Sequence, residues 1–228
     1  MRASPYSRRR SVPVAILDGV MPPSHRPSLP YFLVGAVSVP LLRLVFRSSS
    51  RGREDVPAGG CVLASNHLSN LDPWPLGVPL FPRRYLRFMA KSELYWFLLG
   101  AFLTACGAFP VRRGERDTAA IERAVELCRQ GHIVVMFPEG TRRQKGIRKR
   151  HVAKWRSGAA RIALEAGVPL VPAAVAGTQH LRRLARMKVA YGRPLDLTDL
   201  VGLPLEEAAA TATERLRVEV EALEASLE

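Results

Sequence analysis

His67 and Asp72 stand five positions apart in the run Asn66-His67-Leu68-Ser69-Asn70-Leu71-Asp72, and an apolar segment, Cys61-Val62-Leu63-Ala64-Ser65, leads into it. Histidine is the side chain that takes and returns a proton near neutral pH. A nearby carboxylate holds the imidazole in one tautomer and supports the imidazolium as it forms. A strand ending in Asn-His with an Asp shortly after therefore supplies a base and its orienter. The same spacing also suits a polar helix cap with a satisfied histidine. Ser69, two residues from His67, resembles a nucleophile, but its better use is to cap the helix that carries Asp72. Backbone N–H groups of the Asn66–Asp72 turn are natural donors to a developing oxyanion.

A second cluster, Phe137-Pro138-Glu139-Gly140-Thr141-Arg142, ends the apolar run Ile133–Phe137. Gly140 permits close backbone approach, Thr141 brings a hydroxyl, and Arg142 offers a planar fork suited to phosphate. Glu139 beside a phosphate site fits a role in positioning Arg142 or a neighbouring donor. The alternative for this cluster is a glycine turn with solvated charges.

These runs carry a resemblance. Asn66–Asp72 matches the first signature of the glycerolipid acyltransferases, Asn-His-x-Ser-x-x-Asp. Gly107-Ala108-Phe109-Pro110-Val111-Arg112-Arg113 resembles the second block, Phe137–Arg142 the third, and Val168-Pro169-Leu170-Val171-Pro172-Ala173 the fourth, all in family order. The likeness covers roughly residues 58 to 195, and the chain looks like a 1-acylglycerol-3-phosphate acyltransferase of the bacterial type. The resemblance implies that Arg113, Glu139, Gly140, Thr141 and Arg142 bind the glycerol phosphate acceptor. Pro110 stands where many members have a bulky apolar residue, and the doubled Arg112-Arg113 leaves open which arginine faces the site. Pro172, in the fourth block, shapes a strand end and a pocket wall.

On this reading a fatty acyl group passes from acyl-CoA or acyl carrier protein to 1-acylglycerol-3-phosphate, giving phosphatidic acid. His67 is the general base and Asp72 orients it. No Gly-x-Ser-x-Gly elbow is present, which agrees with direct attack by the substrate oxygen. Related acceptors, glycerol 3-phosphate or another lysolipid, fit the same motifs. A basic, non-catalytic membrane- or nucleic-acid-binding protein is a reading of a different class; it would not require His67 and Asp72. The chain shows no nucleic-acid module, and its aromatics are not interleaved with the basic stretch. The reaction calls for no metal or cofactor, and His25, His132, His151 and His180 have no zinc-type spacing.

The elements that must position these residues follow from the pattern. Strand-like runs at Val62–Ser65, Leu86–Ala90, Ile133–Phe137, Leu170–Val175 and Met187–Tyr191 alternate with helical stretches. Asp117 is an N-cap for a helix that Gly131 stops; a second helix runs from Ser157 to Ala166 and is closed by Gly167 and Pro169. From Glu206 an acidic helix carries Leu216, Val220, Leu223 and Leu227 on one stripe, to cap the domain or to pair with a partner helix. The expected fold is a single α/β domain with a central mixed sheet covered by helices, over residues 58–228. Ser48 to Gly60 reads as a polar turn. Residues 28–57 form a membrane-associating helical segment and linker: Leu29–Phe46 is greasy but short for a span, broken by Pro40 and charged at Arg43. A core helix is the other reading of that stretch. Glu93–Leu103, apolar on almost every face, is either buried or dips into the interface near an acyl-chain entrance. Residues 1–27 read as a disordered basic tail containing Arg8-Arg9-Arg10, and translation starts at Met1 or Met21.

The net charge of +14 favours an anionic partner such as an acidic membrane surface. The dense basic stretch Arg142–Arg156 suits headgroups, coenzyme A phosphates or an acidic carrier protein, or is a solvated loop. Cys61, Cys106 and Cys128 have no Cys-x-x-Cys pair and read as structural thiols of a reducing compartment. With thioester donors, that places the chain on the cytoplasmic face of a membrane, peripheral or monotopic.

Overall fold

The computed structural model describes residues 28–84, 86–111, 118–140, 144–145, 149–150 and 155–228. Its centre is a seven-stranded mixed sheet. In chain order the strands are β1 (Ser49–Arg51), β2 (Cys61–Ser65), β3 (Leu86–Lys91), β4 (Ala108–Val111), β5 (Ile133–Met136), β8 (Leu170–Ala176) and β9 (Lys188–Tyr191), and their spatial order is β1-β9-β8-β2-β5-β3-β4. All neighbours are parallel except β8 and β9, which run antiparallel. A separate antiparallel ladder joins β6 (Gln144–Lys145) to β7 (Lys149–Arg150).

β2 lies in the middle of the sheet and all five of its residues are buried. Its two faces feed different cores, as the period of two in a strand requires. Val62 and Ala64, with Val134, meet α4 (Thr118–Arg129), α5 (Gly158–Ala166) and α6 (Leu205–Ala225). Cys61 and Leu63, with Ile133 and Val135, meet Leu76, Leu80, Leu86 and Tyr191 on the opposite face. Leu216 and Val220 of α6 are fully buried against the first core, so the acidic C-terminal helix closes the domain. Pro172 sits inside β8, opposite Ala64 of β2, and beyond the Ala173↔Tyr191 pair with β9 its carbonyl accepts from Gly192 N at 2.8 Å.

Two strands of the central sheet escaped the periodicity. β1 lies within the stretch read as a polar turn; its three residues are exposed, so no apolar alternation marks it. β4 coincides with the second sequence block and carries Pro110 on the edge of the sheet, where a missing N–H is tolerated.

The greasy N-terminal run forms α1 (Leu29–Leu44), with Ser28 accepting a cap bond from Tyr31 N. One stripe of α1, Gly35, Ser38 and Leu42, is buried on the domain. The rest leaves Leu29, Leu33, Val37 and Leu44 between 56% and 79% exposed. The second greasy run breaks in two, a single turn at Ser92–Leu94 and then α3 (Phe97–Ala105). It is not fully buried: Leu94, Trp96, Leu98 and Phe102 are exposed. No described helix is long and apolar enough to cross a membrane.

Candidate active site

β8, β2 and β5 are adjacent and parallel, so their carboxyl ends share one edge of the sheet. Ligand sites of open α/β sheets form at that edge, where loops leave neighbouring strands. Asn66-His67 follows the end of β2 directly, Phe137–Gly140 follows β5, and Gly177-Thr178 follows β8. Asn66 extends the ladder with its side chain: its Nδ2 donates to Val175 O at 3.0 Å and its Oδ1 accepts from Val175 N at 2.9 Å. This amide clamp sets where the next residue emerges.

That residue is His67. Its Nδ1 lies 2.8 Å from Asp72 Oδ2, and the two side chains are buried, Asp72 completely. The same carboxylate oxygen accepts from Leu68 N at 2.7 Å and Ser69 N at 2.9 Å, while Oδ1 accepts from Thr178 Oγ1 at 2.6 Å. With Nδ1 donating to Asp72, the second ring nitrogen, Nε2, is left to accept a proton. The opposite flank of the imidazole stacks on Phe137, centroids 4.3 Å apart and planes 20° apart. The first and third sequence blocks thus meet through a ring stack, which holds the imidazole plane while Asp72 holds its edge.

Two expectations change here. Asp72, not Ser69, occupies the N-cap of α2 (Pro73–Gly77), and its carboxylate makes no cap bond because it is committed to the histidine turn. Ser69 Oγ instead accepts from Leu71 N at 3.3 Å, tightening the turn before the helix. The turn's amides are also spoken for. Leu68 N and Ser69 N donate to Asp72, Leu71 N to Ser69, and Asp72 N to Ser69 O, which removes four of the expected oxyanion donors.

Glu139 is buried, with 2% exposure, in the turn after β5. Gly140 has a φ of +70°, and a Cβ there would lie 2.8 Å from Arg156 Nε. The left-handed backbone favours glycine here, and the exposed Arg156 side chain lies across it. Arg156 is anchored through its own backbone, N to Pro138 O at 2.9 Å. Arg113, Thr141 and Arg142 lie outside the described residues, as does Asp117.

An apolar cavity of about 300 Å³ adjoins the histidine turn. Its walls include Tyr31, Val34 and Ser38 of α1, Asn70 and Leu71 of the turn, Trp74 of α2, Phe88 of β3, and Phe102 and Leu103 of α3. The exposed greasy elements thus wall a pocket on their inner sides. Cys106 also lines it, but burial pushes its thiol up. Burial likewise drives Cys61 up to about 12 and Cys128 well up, so none of the three is a ready thiolate. Among the described residues no three His, Cys, Asp or Glu side chains converge to hold a metal ion.

Three participants were not legible in advance. Phe137 read only as a strand end opening the third block, Asn66 only as part of a motif, and Thr178 not at all. Thr178 is 106 positions from Asp72, and its local context, a threonine after glycine at a strand end, is that of an ordinary turn.

Comparison with known proteins shows the family. The Acyltransferase family model matches residues 47–176, more than half of the chain. A 1-acyl-sn-glycerol-3-phosphate acyltransferase of Bacillus subtilis (strain 168) is 35% identical over 183 residues, spanning 77% of this chain and 87% of the relative. A probable 1-acyl-sn-glycerol-3-phosphate acyltransferase of Mycoplasma pneumoniae is also 35% identical, over 67% of this chain and 59% of its own length. In fold, the chain resembles the crystal structure of the 1-acyl-sn-glycerophosphate (LPA) acyltransferase PlsC from Thermotoga maritima. The TM-score is 0.58 at 22% identity, covering 84% of this chain and 81% of that one. The non-catalytic reading of the basic charge falls away, and the chain belongs to the Acyltransferase family.

Proposed function

We propose that the protein transfers a fatty acyl group from a thioester, acyl-CoA or acyl carrier protein, to the free hydroxyl of 1-acylglycerol-3-phosphate, releasing the thiol and forming phosphatidic acid. The observation that carries this reading is the buried His67–Asp72 pair, 2.8 Å apart at the carboxyl ends of the central strands and beside an apolar cavity. His67 Nε2 takes the proton of the acceptor hydroxyl as its oxygen attacks the thioester carbonyl. The proton then leaves with the thiol when the tetrahedral intermediate collapses. Base assistance of this kind contributes roughly 10²–10⁴-fold. Asp72 keeps Nδ1 protonated and faces the imidazolium with its charge.

The cavity walled by α1, α2 and α3 takes an acyl chain, and Glu139, Gly140, Thr141, Arg142 and Arg113 form the acceptor's phosphate end. Arg156, lying over Gly140, adds a cation to that end. The exposed apolar sides of α1 and α3 enter one leaflet, with Arg43 and Arg47 near the headgroups, so the protein works at the cytoplasmic face of the membrane as a peripheral or monotopic enzyme.

The test is acyl transfer from a labelled acyl-CoA or acyl carrier protein to 1-acylglycerol-3-phosphate, glycerol 3-phosphate and a zwitterionic lysolipid, alongside His67→Ala. Turnover with 1-acylglycerol-3-phosphate that disappears in a folded His67→Ala protein is the expected result. Full turnover in that variant would remove the base assignment; transfer only to another acceptor would move the substrate.

A further inference from the structure

We infer that Thr178 is a positioning residue for the His67–Asp72 pair, its hydroxyl holding the carboxylate in the orientation that presents Oδ2 to the imidazole. Three of the four donors to Asp72, His67 Nδ1, Leu68 N and Ser69 N, converge on Oδ2. Bonds to one oxygen leave the plane of a carboxylate free to turn, because the terminal torsion of aspartate is broad and has no sharp wells. The Thr178 hydroxyl bonds the other oxygen at 2.6 Å and removes that freedom. It is also the one donor that reaches Oδ1 among the described residues. Thr178 is 1% exposed and Asp72 0%, so water is not at hand to replace it.

The threonine is itself tightly placed. Gly177 turns the chain out of β8 with a φ of +88°, and a Cβ there would fall 2.1 Å from Arg186 O, so this backbone has one path. Leu181, three residues on, packs against the buried cluster of Leu42 of α1, Phe46 just beyond that helix, and Met187. The hydroxyl serves the carboxylate and not its own short helix, whose N-cap position is Gly177 and carries no side-chain bond. Each of the three central parallel strands therefore delivers one group to the pair: β2 the histidine, β5 the ring stacked on it, and β8 the hydroxyl behind the carboxylate. Thr178 is buried behind the carboxylate and acts through Asp72.

The kinetic part of the inference rests on the acyl-transfer reading, whereas its geometric part does not, and the experiment keeps them apart. Full-length wild type, Thr178→Val, Thr178→Ser and Thr178→Ala are compared by proton NMR in the downfield region. There the hydrogen-bonded His67 Nδ1 proton is assigned by its loss in His67→Ala. The same proteins are assayed for acyl transfer to 1-acylglycerol-3-phosphate and followed by thermal melting. The resonance is expected in wild type and Thr178→Ser, and is expected to vanish or to exchange at least ~10-fold faster in Thr178→Val. The kcat of Thr178→Val should fall about 10- to 100-fold with KM within about 2-fold, the size of effect that loss of an outer-shell partner has at metal sites. Thr178→Ser should stay within about 3-fold of wild type, because it keeps the donor. An unaltered resonance with kcat unchanged in Thr178→Val would overturn the inference. So would a Thr178→Ser protein as impaired as Thr178→Val, since shape would then matter and not the hydroxyl. Should Thr178→Val fail to fold, Thr178→Ala, which removes the hydroxyl without adding bulk, carries the same two expectations. If wild type transfers no acyl group, the proposed reaction fails and the resonance alone decides Thr178; a wild type without that resonance overturns the pair it is meant to position.

Discussion

Replacing Asp72 by Asn separates the charge of this carboxylate from its hydrogen bonds. The amide oxygen can occupy the place of Oδ2 and keep Leu68 N, Ser69 N and His67 Nδ1 at their present 2.7, 2.9 and 2.8 Å. The NH₂ group then faces Thr178 Oγ1, and a hydroxyl that rotates can accept where it had donated. The number of hydrogen bonds is unchanged, and Asp72→Asn should keep its stability to within about 1 kcal/mol. What disappears is the negative charge facing the imidazolium. Two unit charges about 4 Å apart at an effective dielectric near 20 attract by about 4 kcal/mol, or about 10³-fold in rate. Since only part of that charge has developed in the transition state, kcat should fall about 10²–10³-fold, with KM steady because Asp72 is fully buried. Asp72→Ala removes the acceptor altogether and leaves its donors unpaired, so it should also lose roughly 2–4 kcal/mol of stability. Thiol release from acyl-CoA in the presence of 1-acylglycerol-3-phosphate, with melting of each variant, checks both expectations. An Asn variant keeping a third or more of the wild-type kcat would refute the electrostatic argument, and one as unstable as the Ala variant would refute the exchange of hydrogen bonds.

Other consequences follow from the same geometry. In the native protein at pH 8, Cys61 and Cys128 should resist iodoacetamide while half-buried Cys106 reacts slowly, and all three should react after denaturation; rapid native labelling of Cys61 would contradict its burial. Because burial raises the Cys61 thiol from its ordinary 9.0 to about 12, the stability linked to its neutral form is intact below pH 9 and is lost as pH climbs towards 12, a loss that Cys61→Ala should reduce in alkaline melts. Ser38→Leu fills part of the apolar cavity and should depress transfer of long acyl chains more than short ones, read from kcat/KM across a donor series; equal losses would detach the cavity from the acyl chain. Replacing exposed Leu33, Val37 and Leu44 together by Ser should weaken sedimentation with anionic vesicles by at least about 10-fold without lowering the melting temperature, and unaltered sedimentation would argue against α1 as the membrane face.

The interior strands were legible because both of their faces are buried, which leaves short apolar runs bounded by turn residues. Residues 61–65, 133–136 and 170–176 behave in this way. Edge strands carry no such signal: β1 is polar and exposed throughout, so its pairing with β9 depends on the partner strand. α1 and Glu93–Leu103 were ambiguous for a related reason. A helix apolar on almost every side has no stripe to declare which side faces the protein, and the fold buries Gly35, Ser38 and Leu42 while exposing Leu29, Leu33, Val37 and Leu44.

By itself the sequence determined that His67 and Asp72 meet, because they are close along the chain and one tight turn suffices to join them. It also determined which strands precede the two polar clusters, since apolar runs lead directly into each. Tertiary structure alone decided what surrounds the pair. Phe137 reaches the imidazole only because β5 lies beside β2, and Thr178 reaches Asp72 only because β8 lies on the other side. Local propensity is blind to such partners, for they depend on the lateral order of strands. That order is set by burying both faces of the sheet, and no residue near Asp72 records it.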